Sequence, residues 1–239
     1  MFLTSPTYAK RLRDNYGNSG LITDGEQSKK SIKNNAIEGG KALAELPRIW
    51  FSPGNNPASL MKKVNGWNLV EKGLARGNGL ILLTPHIGCF EIIPHFLSTQ
   101  FPFTALYRPP KIQFLEPLMR RGRQRKGIRL ATTGVSGVRT LLKALKRGES
   151  IGVLPDQVPG AGDGEWAEFF KRPAYTMTIW SRLAEKSNAT VLLMATRRLA
   201  KGVGFELSFY DMPKRLDSET HSRCLNRGLE FLIEKNPNQ

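Results

Sequence analysis

The chain has 239 residues, with 36 Lys or Arg against 20 Asp or Glu, so its formal net charge at pH 7 is +16. A hydrophobic fraction of 40%, with 12 Phe and 4 Trp, excludes a disordered chain and suffices for the core of one domain. The positive charge predicts an anionic partner but does not choose among nucleic acid, an acidic protein, anionic lipid and a phosphorylated substrate. The two cysteines, Cys89 and Cys224, fit neither a metal site nor a disulfide framework, so we expect a reduced protein facing the cytosol, without a metal.

Residues 1–30 are polar and basic, with a stretch rich in Gly, Asn and Ser, and we predict a loosely ordered segment there. Residues 31–239 are predicted to form the single folded domain. No stretch approaches the ~20 apolar residues that a membrane-spanning helix needs. The apolar run at the start of the chain is too short for a signal peptide. We therefore expect any membrane contact of this chain to be peripheral.

In chain order, apolar periodicity first predicts helices over residues 31–51 and 68–76, the former ended by Pro53 and Gly54. A run of Leu and Ile over residues 80–83 then has the length of a buried strand, and a helix begins at Glu91. This alternation predicts an α/β domain with a mostly parallel or mixed central sheet, flanked by helices, and a site at the carboxyl ends of the strands. The further predicted strands cover residues 103–108, 128–132, 150–154, 190–196 and 204–209, and the further helices residues 91–97, 138–147, 175–185 and 217–234.

Polar side chains stand at the ends of three predicted strands. His86 follows the strand over residues 80–83, Arg108 ends the next strand, and Asp156 follows the strand over residues 150–154. Ligands of open α/β sheets collect at the carboxyl ends of strands. We therefore expect the three side chains to border one site.

His86 and Glu91 form the candidate catalytic pair. Histidine is the side chain whose ordinary pKa lies nearest neutrality, so it can accept a proton and return it. A carboxylate on the far ring nitrogen would fix the tautomer and stabilise the imidazolium. On one helix the two side chains would diverge by ~140°, so pairing requires His86 in a loop and Glu91 in the first helical turn. Gly88 allows a tight turn between them and a close approach of substrate to the backbone.

The alternative for this pair is a loop histidine beside an unrelated surface glutamate, because so short a pattern recurs by chance. Cys89 offers another alternative, a thiol nucleophile acting with His86 through an acyl-enzyme. Single buried cysteines are more often small core residues.

The segment from Arg108 to Arg147 carries twelve Lys or Arg and a single acidic residue, Glu116, with its densest run over residues 120–126. A binding surface and a solvated helix face are both compatible with this run. Two observations argue against a nucleic-acid-binding surface. Aromatic residues are not interleaved with these cations, and the sequence contains no helix-turn-helix or zinc pattern. We expect no nucleic-acid partner, and a non-catalytic protein that binds nucleic acid or an anionic membrane surface stays the alternative of another class.

Four sequence blocks, in order, together resemble those of the lysophospholipid acyltransferase superfamily. The resemblance is strongest to its lipid A biosynthesis late acyltransferases, the lauroyl and myristoyl transferases. Within the first block, Cys89 and Phe90 stand where that family usually has Asn and Trp. The blocks are TPHIGCFE over residues 84–91, similar to the H-x4-D/E catalytic block; YRPP over residues 107–110, similar to a substrate-binding Tyr-Arg-Pro block; LPDQ over residues 154–157; and FF with PAYT over residues 169–176.

The resemblance implies transfer of a fatty acyl group from the thioester of acyl carrier protein to a hydroxyl group of a phosphorylated lipid A precursor. No cofactor is implied beyond this donor. The implied partners are acyl carrier protein, the glycolipid acceptor and the anionic surface of the bacterial inner membrane, on its cytoplasmic face. An acyltransferase of the same superfamily with another glycolipid or a lysophospholipid as acceptor is the nearest alternative.

The resemblance also implies roles for individual residues. His86 would be the general base, oriented by Glu91. Backbone amides near Gly88 would stabilise the oxyanion. Arg108 would contact a phosphate through its planar guanidinium. Tyr107, Asp156 and Gln157 would also bind substrate, although capping a turn after Pro155 is an equally open role for Asp156.

Overall fold

The computed structural model describes residues 5–21, 25–51, 56–124 and 127–239. Within them, helices surround a seven-stranded central sheet, and a separate two-stranded hairpin lies beside it. The predicted α/β class with a mostly parallel sheet is confirmed. The strands of the sheet are β1 (Met61–Asn65), β2 (Leu80–Leu83), β3 (Phe103–Tyr107), β4 (Ile128–Thr132), β5 (Ser150–Val153), β8 (Thr190–Arg198) and β9 (Phe205–Asp211), and those of the hairpin are β6 (Gly164–Phe169) and β7 (Arg172–Met177).

The helices alternate with the strands of the sheet, as parallel connections require. The helices are α1 (Pro6–Ser19), α2 (Gly25–Phe51), α3 (Trp67–Ala75), α4 (Ile92–Leu97), α5 (Glu116–Arg123), α6 (Val135–Lys146), α7 (Ile179–Ser187) and α8 (His221–Lys235). None of these described helices is long and apolar enough to span a bilayer.

Strand order in the sheet is β1-β9-β8-β2-β5-β3-β4. The five strands from β8 to β4 are parallel, whereas β9 runs antiparallel to β8. Strands β2 and β5 are adjacent at the centre and every residue in them is buried. A strand covered on both faces needs apolar side chains at consecutive positions, which explains why β2 is an unbroken run of Leu and Ile.

Alternate residues of β2 serve two different cores, because successive side chains point to opposite faces of a strand. Ile81 and Leu83 pack in the core under α6, α7 and α8. Leu80 and Leu82 pack in the core on the opposite face, with residues of α3 and α4. A third, smaller cluster joins Trp50 of α2 to the start of α4. The polar loops that follow β2 therefore leave the sheet between two well-packed layers.

Several elements differ from the prediction. Strand β1, helix α5 and the β6–β7 hairpin were not predicted. The helix predicted over residues 175–185 begins only at Ile179, because residues up to Met177 pair with β6. The last helix begins at His221 rather than at residue 217, and the Thr220 side chain caps it by accepting from the Arg223 backbone N–H at 3.2 Å. The predicted stop at Pro53 and Gly54 lies outside the described residues.

The N-terminal segment contains more regular structure than the sequence suggested. Helix α1 occupies Pro6–Ser19, and the predicted boundary between residues 30 and 31 falls inside α2. Tyr16 is buried, and its hydroxyl donates to the carbonyl of Pro237 at 3.2 Å. Asn35 of α2 donates to the same carbonyl at 2.8 Å. How loosely this segment is held stays a prediction.

Candidate active site

Two of the three predicted strand ends come directly together because β2 and β5 are neighbours. Leu83 pairs with Val153 at the ends of these strands. The pairing continues one residue further, where the Thr84 backbone N–H donates to the Val153 carbonyl at 3.1 Å. The chains then leave the sheet side by side, and this places His86 next to Asp156.

Asp156 holds His86 through two hydrogen bonds. One carboxylate oxygen accepts from the His86 backbone N–H at 2.8 Å, and the other lies 2.7 Å from Nδ1 of the ring. The side-chain nitrogen of Gln157 lies 3.2 Å from Nε2. A proton on Nδ1 satisfies both neighbours, because the carboxylate can only accept and the Gln157 amide nitrogen can only donate. The ring therefore presents the Nε2 lone pair, which is the acceptor that a general base needs.

Glu91 lies in a different environment from the one predicted. It stands at the start of α4 as expected, but its side chain is only 9% exposed. Its carboxylate accepts from Nε1 of Trp50 at 3.2 Å and from Nε of Arg123 at 3.0 Å, and Nη2 of Arg123 also donates to it. The carboxylate that is hydrogen-bonded to His86 is thus that of Asp156. The prediction that Glu91 contacts the imidazole was wrong. The tight turn at Gly88 directs Glu91 into the protein, towards α2 and α5.

Removal of the Glu91 charge is expected to destabilise the fold. Glu91→Gln leaves the Arg123 guanidinium, which is 25% exposed, without its carboxylate. We expect a loss of about 2 kcal/mol in the free energy of unfolding, less than for a fully buried pair. Urea denaturation measures it. The matched control is Asp14→Asn, which breaks an exposed pair with Lys10 and should cost below about 0.5 kcal/mol. Equal losses in the two variants would contradict this structural role.

The turn at Gly88 requires glycine. Its φ is +59°, and a Cβ there would lie 2.1 Å from the Thr196 carbonyl oxygen. The Arg198 guanidinium donates to the Gly88 carbonyl at 3.2 Å, and it also forms ion pairs at 2.8 Å with Glu38 and Glu45 of α2. Arg198 is 8% exposed. It fixes the loop after β2 to both β8 and α2, and sequence reasoning missed it because these partners are remote along the chain.

Tyr107 and Arg108 end β3 beside the same region. Tyr107 is buried and its hydroxyl donates to Glu116. Burial and the Glu116 carboxylate raise the pKa of Tyr107 to about 12, so the phenol stays protonated at neutral pH. Arg108 is exposed and makes no side-chain hydrogen bond or ion pair with the described residues. Its guanidinium is therefore available to an anionic ligand.

A cavity of about 760 Å³ opens beside this group. His86, Tyr107, Arg108 and Gln157 line it, as does Glu91, and most of the other described lining side chains are apolar. A volume of this order accommodates a ligand of several hundred daltons, with a few polar groups to orient it. The arrangement suits deprotonation of a substrate group at the edge of an apolar chamber. Among the described residues, no three His, Cys, Asp or Glu form a group that could hold a metal ion.

Comparison with known proteins connects this site to a family. The family model described as bacterial lipid A biosynthesis acyltransferase matches residues 23–239, which is most of the chain and includes every candidate site residue. The chain belongs to that family. The predicted resemblance to the lipid A late acyltransferases is confirmed.

Curated relatives agree with this assignment. A lipid A biosynthesis acyltransferase of Haemophilus influenzae is 27% identical over 207 residues, which cover 83% of this chain and 65% of the relative. The lipid A biosynthesis palmitoleoyltransferase of Escherichia coli is 28% identical over 186 residues, covering 76% of this chain and 59% of the relative. The chain thus spans less than two thirds of the length of these relatives. The crystal structure of a 1-acyl-sn-glycerophosphate acyltransferase, PlsC from Thermotoga maritima, matches 96% of this chain and 86% of its own, with a TM-score of 0.40 and 15% identity.

Cys89 occupies a core position in this member of the acyltransferase family. It is 2% exposed and packs with Trp50 and Ile92. Burial, followed by the charge of Glu45, raises the pKa of the thiol. A nucleophilic cysteine needs the opposite, a stabilised thiolate with access to substrate.

We expect Cys89→Ala to keep kcat within about threefold of wild type, because a small buried residue replaces another without touching His86. Steady-state acyl transfer measures it, with the folded fraction checked by circular dichroism. A loss comparable to that of a histidine variant would instead support an acyl-enzyme.

Proposed function

We propose that this chain transfers a fatty acyl group from the thioester of acyl carrier protein to a hydroxyl group of a phosphorylated lipid A precursor. The observation that carries the proposal is the imidazole of His86, held by Asp156 at the rim of a large apolar cavity. Family membership supports the reaction class and the lipid A acceptor.

In the proposed mechanism, Nε2 of His86 removes the proton from the acceptor hydroxyl as its oxygen attacks the thioester carbonyl carbon. The carboxylate of Asp156 stabilises the imidazolium that forms. The tetrahedral intermediate collapses, the carbon–sulfur bond breaks, and the departing thiolate takes the proton from the imidazolium. The loop amides around Gly88 are the proposed donors to the oxyanion. Gln157, which lies against Nε2, would be displaced by the acceptor hydroxyl or share the nitrogen with it.

Charge and apolar surface support the two proposed substrates. The fatty chain would occupy the apolar part of the cavity, where water is displaced from both surfaces. Arg108, at the rim, would contact a phosphate through its planar guanidinium. The net charge of +16 would favour encounter with an acidic carrier protein. Tyr107, which lines the cavity next to Arg108, would form part of the cavity wall that contacts substrate.

We propose peripheral binding of the chain to the anionic cytoplasmic face of the inner membrane. A patch supports this: Ile112, Phe114 and Leu118 are 53%, 79% and 49% exposed. Two of the nearby cations in the sequence are Lys111 and Arg121. Exposed apolar side chains with cations nearby in the sequence suit an anionic lipid surface. The apolar side chains would insert into the interface, and the cations would meet the lipid head groups.

Phe114→Ser is expected to weaken binding to vesicles that contain anionic lipid by about tenfold, because a Phe that enters the interface contributes roughly 1.5–3 kcal/mol. Vesicle co-sedimentation at fixed salt measures the effect. Val203→Ser is the control, since Val203 is 58% exposed but lies between β8 and β9. Equal vesicle affinity of the two variants would place the membrane contact elsewhere.

A donor and acceptor panel tests the proposed function. Acyl carrier protein and coenzyme A, loaded with the same fatty acyl group, would each be offered with a tetra-acylated, Kdo-bearing lipid A precursor or with a lysophospholipid, in detergent. We expect acylated glycolipid from the carrier-protein donor. Transfer to the lysophospholipid alone would favour the superfamily alternative. No transfer from any donor, together with salt-sensitive binding of generic DNA, would favour a non-catalytic binding protein.

A further inference from the structure

Helices α6 and α7 border the cavity with the same side-chain pattern. On each helix the lining positions follow the spacing i, i+3, i+4, i+7, which defines one face of a helix. Such a face is ordinarily apolar throughout, but here cations interrupt it on both helices. The lining residues are Val135, Val138, Arg139 and Leu142 of α6, and Ile179, Arg182, Leu183 and Lys186 of α7.

These three cations are exposed, and none of them has an ion-pair partner among the described residues. The side chains of Arg139, Arg182 and Lys186 make no hydrogen bond or ion pair with the described residues. Arg123, which also lines the cavity, differs because Glu91 neutralises it. Asp163 is the other carboxylate among the described lining residues, and it forms no ion pair with these cations. Unpaired cations along one wall of a cavity attract an anion, so an anionic ligand would be stabilised here.

The charge is also distributed unevenly across the cavity. Phe103 and Leu130 line the half that faces α4, and the Arg123 charge there is already paired. The half that faces α6 and α7 combines apolar walls with three of the four unpaired lining cations among the described residues, the fourth being Arg108 at the end of β3. A ligand with a hydrocarbon tail and an anionic end would therefore bind in one orientation.

We propose that Arg139, Arg182 and Lys186 form a phosphate-binding subsite, distinct from the contact assigned to Arg108. The inference rests on the proposed function, and it identifies phosphate as the substrate group that this wall of the cavity binds. Two substrates carry the required group. The phosphopantetheine arm of the donor contains a phosphodiester, and the sugar of the acceptor contains a phosphate monoester. Arginine suits both, because its planar fork of donors matches phosphate oxygens.

Direct binding tests the subsite without turnover. The probes are 4′-phosphopantetheine and glucosamine 1-phosphate, each titrated into the full chain and followed by 31P NMR. Wild type should bind at least one of them, and Arg139→Gln/Arg182→Gln should weaken that binding at least tenfold. The control is Lys143→Gln/Lys146→Gln, which removes the same charge from α6 at positions outside the cavity lining. Equal binding by all three proteins, or no binding of either probe, would overturn the proposal.

Steady-state kinetics then identify the source of the phosphate. If the donor supplies it, Arg139→Gln/Arg182→Gln raises KM for acyl carrier protein about tenfold but leaves KM for acyl-pantetheine, which has no phosphate, unchanged. If the acceptor supplies it, KM rises for the phosphorylated glycolipid and not for its dephosphorylated form. In both cases kcat stays within a few fold, since neither side chain contacts His86. Absence of turnover by wild type would refute the proposed function, whereas the titrations would still decide the subsite.

Discussion

His86→Ala is expected to lower kcat for acyl transfer by roughly 10³-fold or more, without unfolding the protein. The size follows from the loss of the base, since a positioned general base contributes about 10²–10⁴-fold, together with the loss of the proton donor for the departing thiolate. The fold should persist because the His86 side chain is 31% exposed and contacts Asp156, Gln157 and the edge of Phe90 rather than a core. Single-turnover transfer from loaded acyl carrier protein measures the rate.

The matched control is His221→Ala. His221 is a partly exposed histidine at the start of α8, 3.6 Å from Glu185. It does not line the cavity, so its loss should change kcat by less than about threefold. Thermal unfolding of both variants separates loss of chemistry from loss of fold. Turnover by the folded His86→Ala protein within a few fold of wild type would show that another group accepts the proton.

Asp156→Asn should lower kcat by about 10²–10³-fold, because the carboxylate performs two tasks that an amide cannot perform together. Both of its oxygens accept, one from the backbone N–H of His86 and the other from Nδ1. Asparagine offers one oxygen and one NH2 group, so one of these donors would face another donor. Either the loop loses its anchor, or the ring changes tautomer and presents a proton instead of a lone pair on Nε2. The imidazolium also loses its counter-charge.

Comparison with Glu91→Gln shows which of the two carboxylates, that of Asp156 or that of Glu91, orients His86. Glu91 contacts Arg123 and Trp50, so its variant should lose stability and keep most of its kcat per folded molecule. Asp156→Asn should show the reverse pattern. The measurement is kcat for each variant, divided by the folded fraction from circular dichroism at the same temperature. A larger loss of kcat in Glu91→Gln would restore Glu91 as the carboxylate that orients His86.

The fold was largely predictable because its signals are local. The buried run of β2, the short apolar segments of β3, β4 and β5, and the helical periodicities between them are each visible within about ten residues. The β6–β7 hairpin was missed for an equally local reason. Its turn places Phe170 and Lys171 at φ values of +47° and +60°, where glycine or asparagine is usual. The sequence therefore lacks the common marker of a tight hairpin.

The pairing within the site was less predictable, because it depends on the order of strands in space. His86 and Asp156 are 70 residues apart in sequence and meet only because β5 lies beside β2 in the sheet. The partners of Glu91 are equally remote: Trp50 and Arg123 lie 41 and 32 residues away. The spacing of His86 and Glu91 drew attention to these two side chains. It carried no information about which carboxylate would reach the imidazole.

The most direct test of the Asp156–His86 arrangement is a long-range 1H–15N NMR spectrum of the histidine rings. The chain has three histidines, so His86→Ala assigns the relevant ring at once. At a pH where the ring is neutral, we expect the proton on Nδ1 and an unprotonated Nε2 in wild type, and a shift of the proton towards Nε2 in Asp156→Asn but not in Glu91→Gln. A proton on Nε2 in wild type, or a ring that responds to Glu91→Gln and not to Asp156→Asn, would contradict the assignment of His86 as a base held by Asp156.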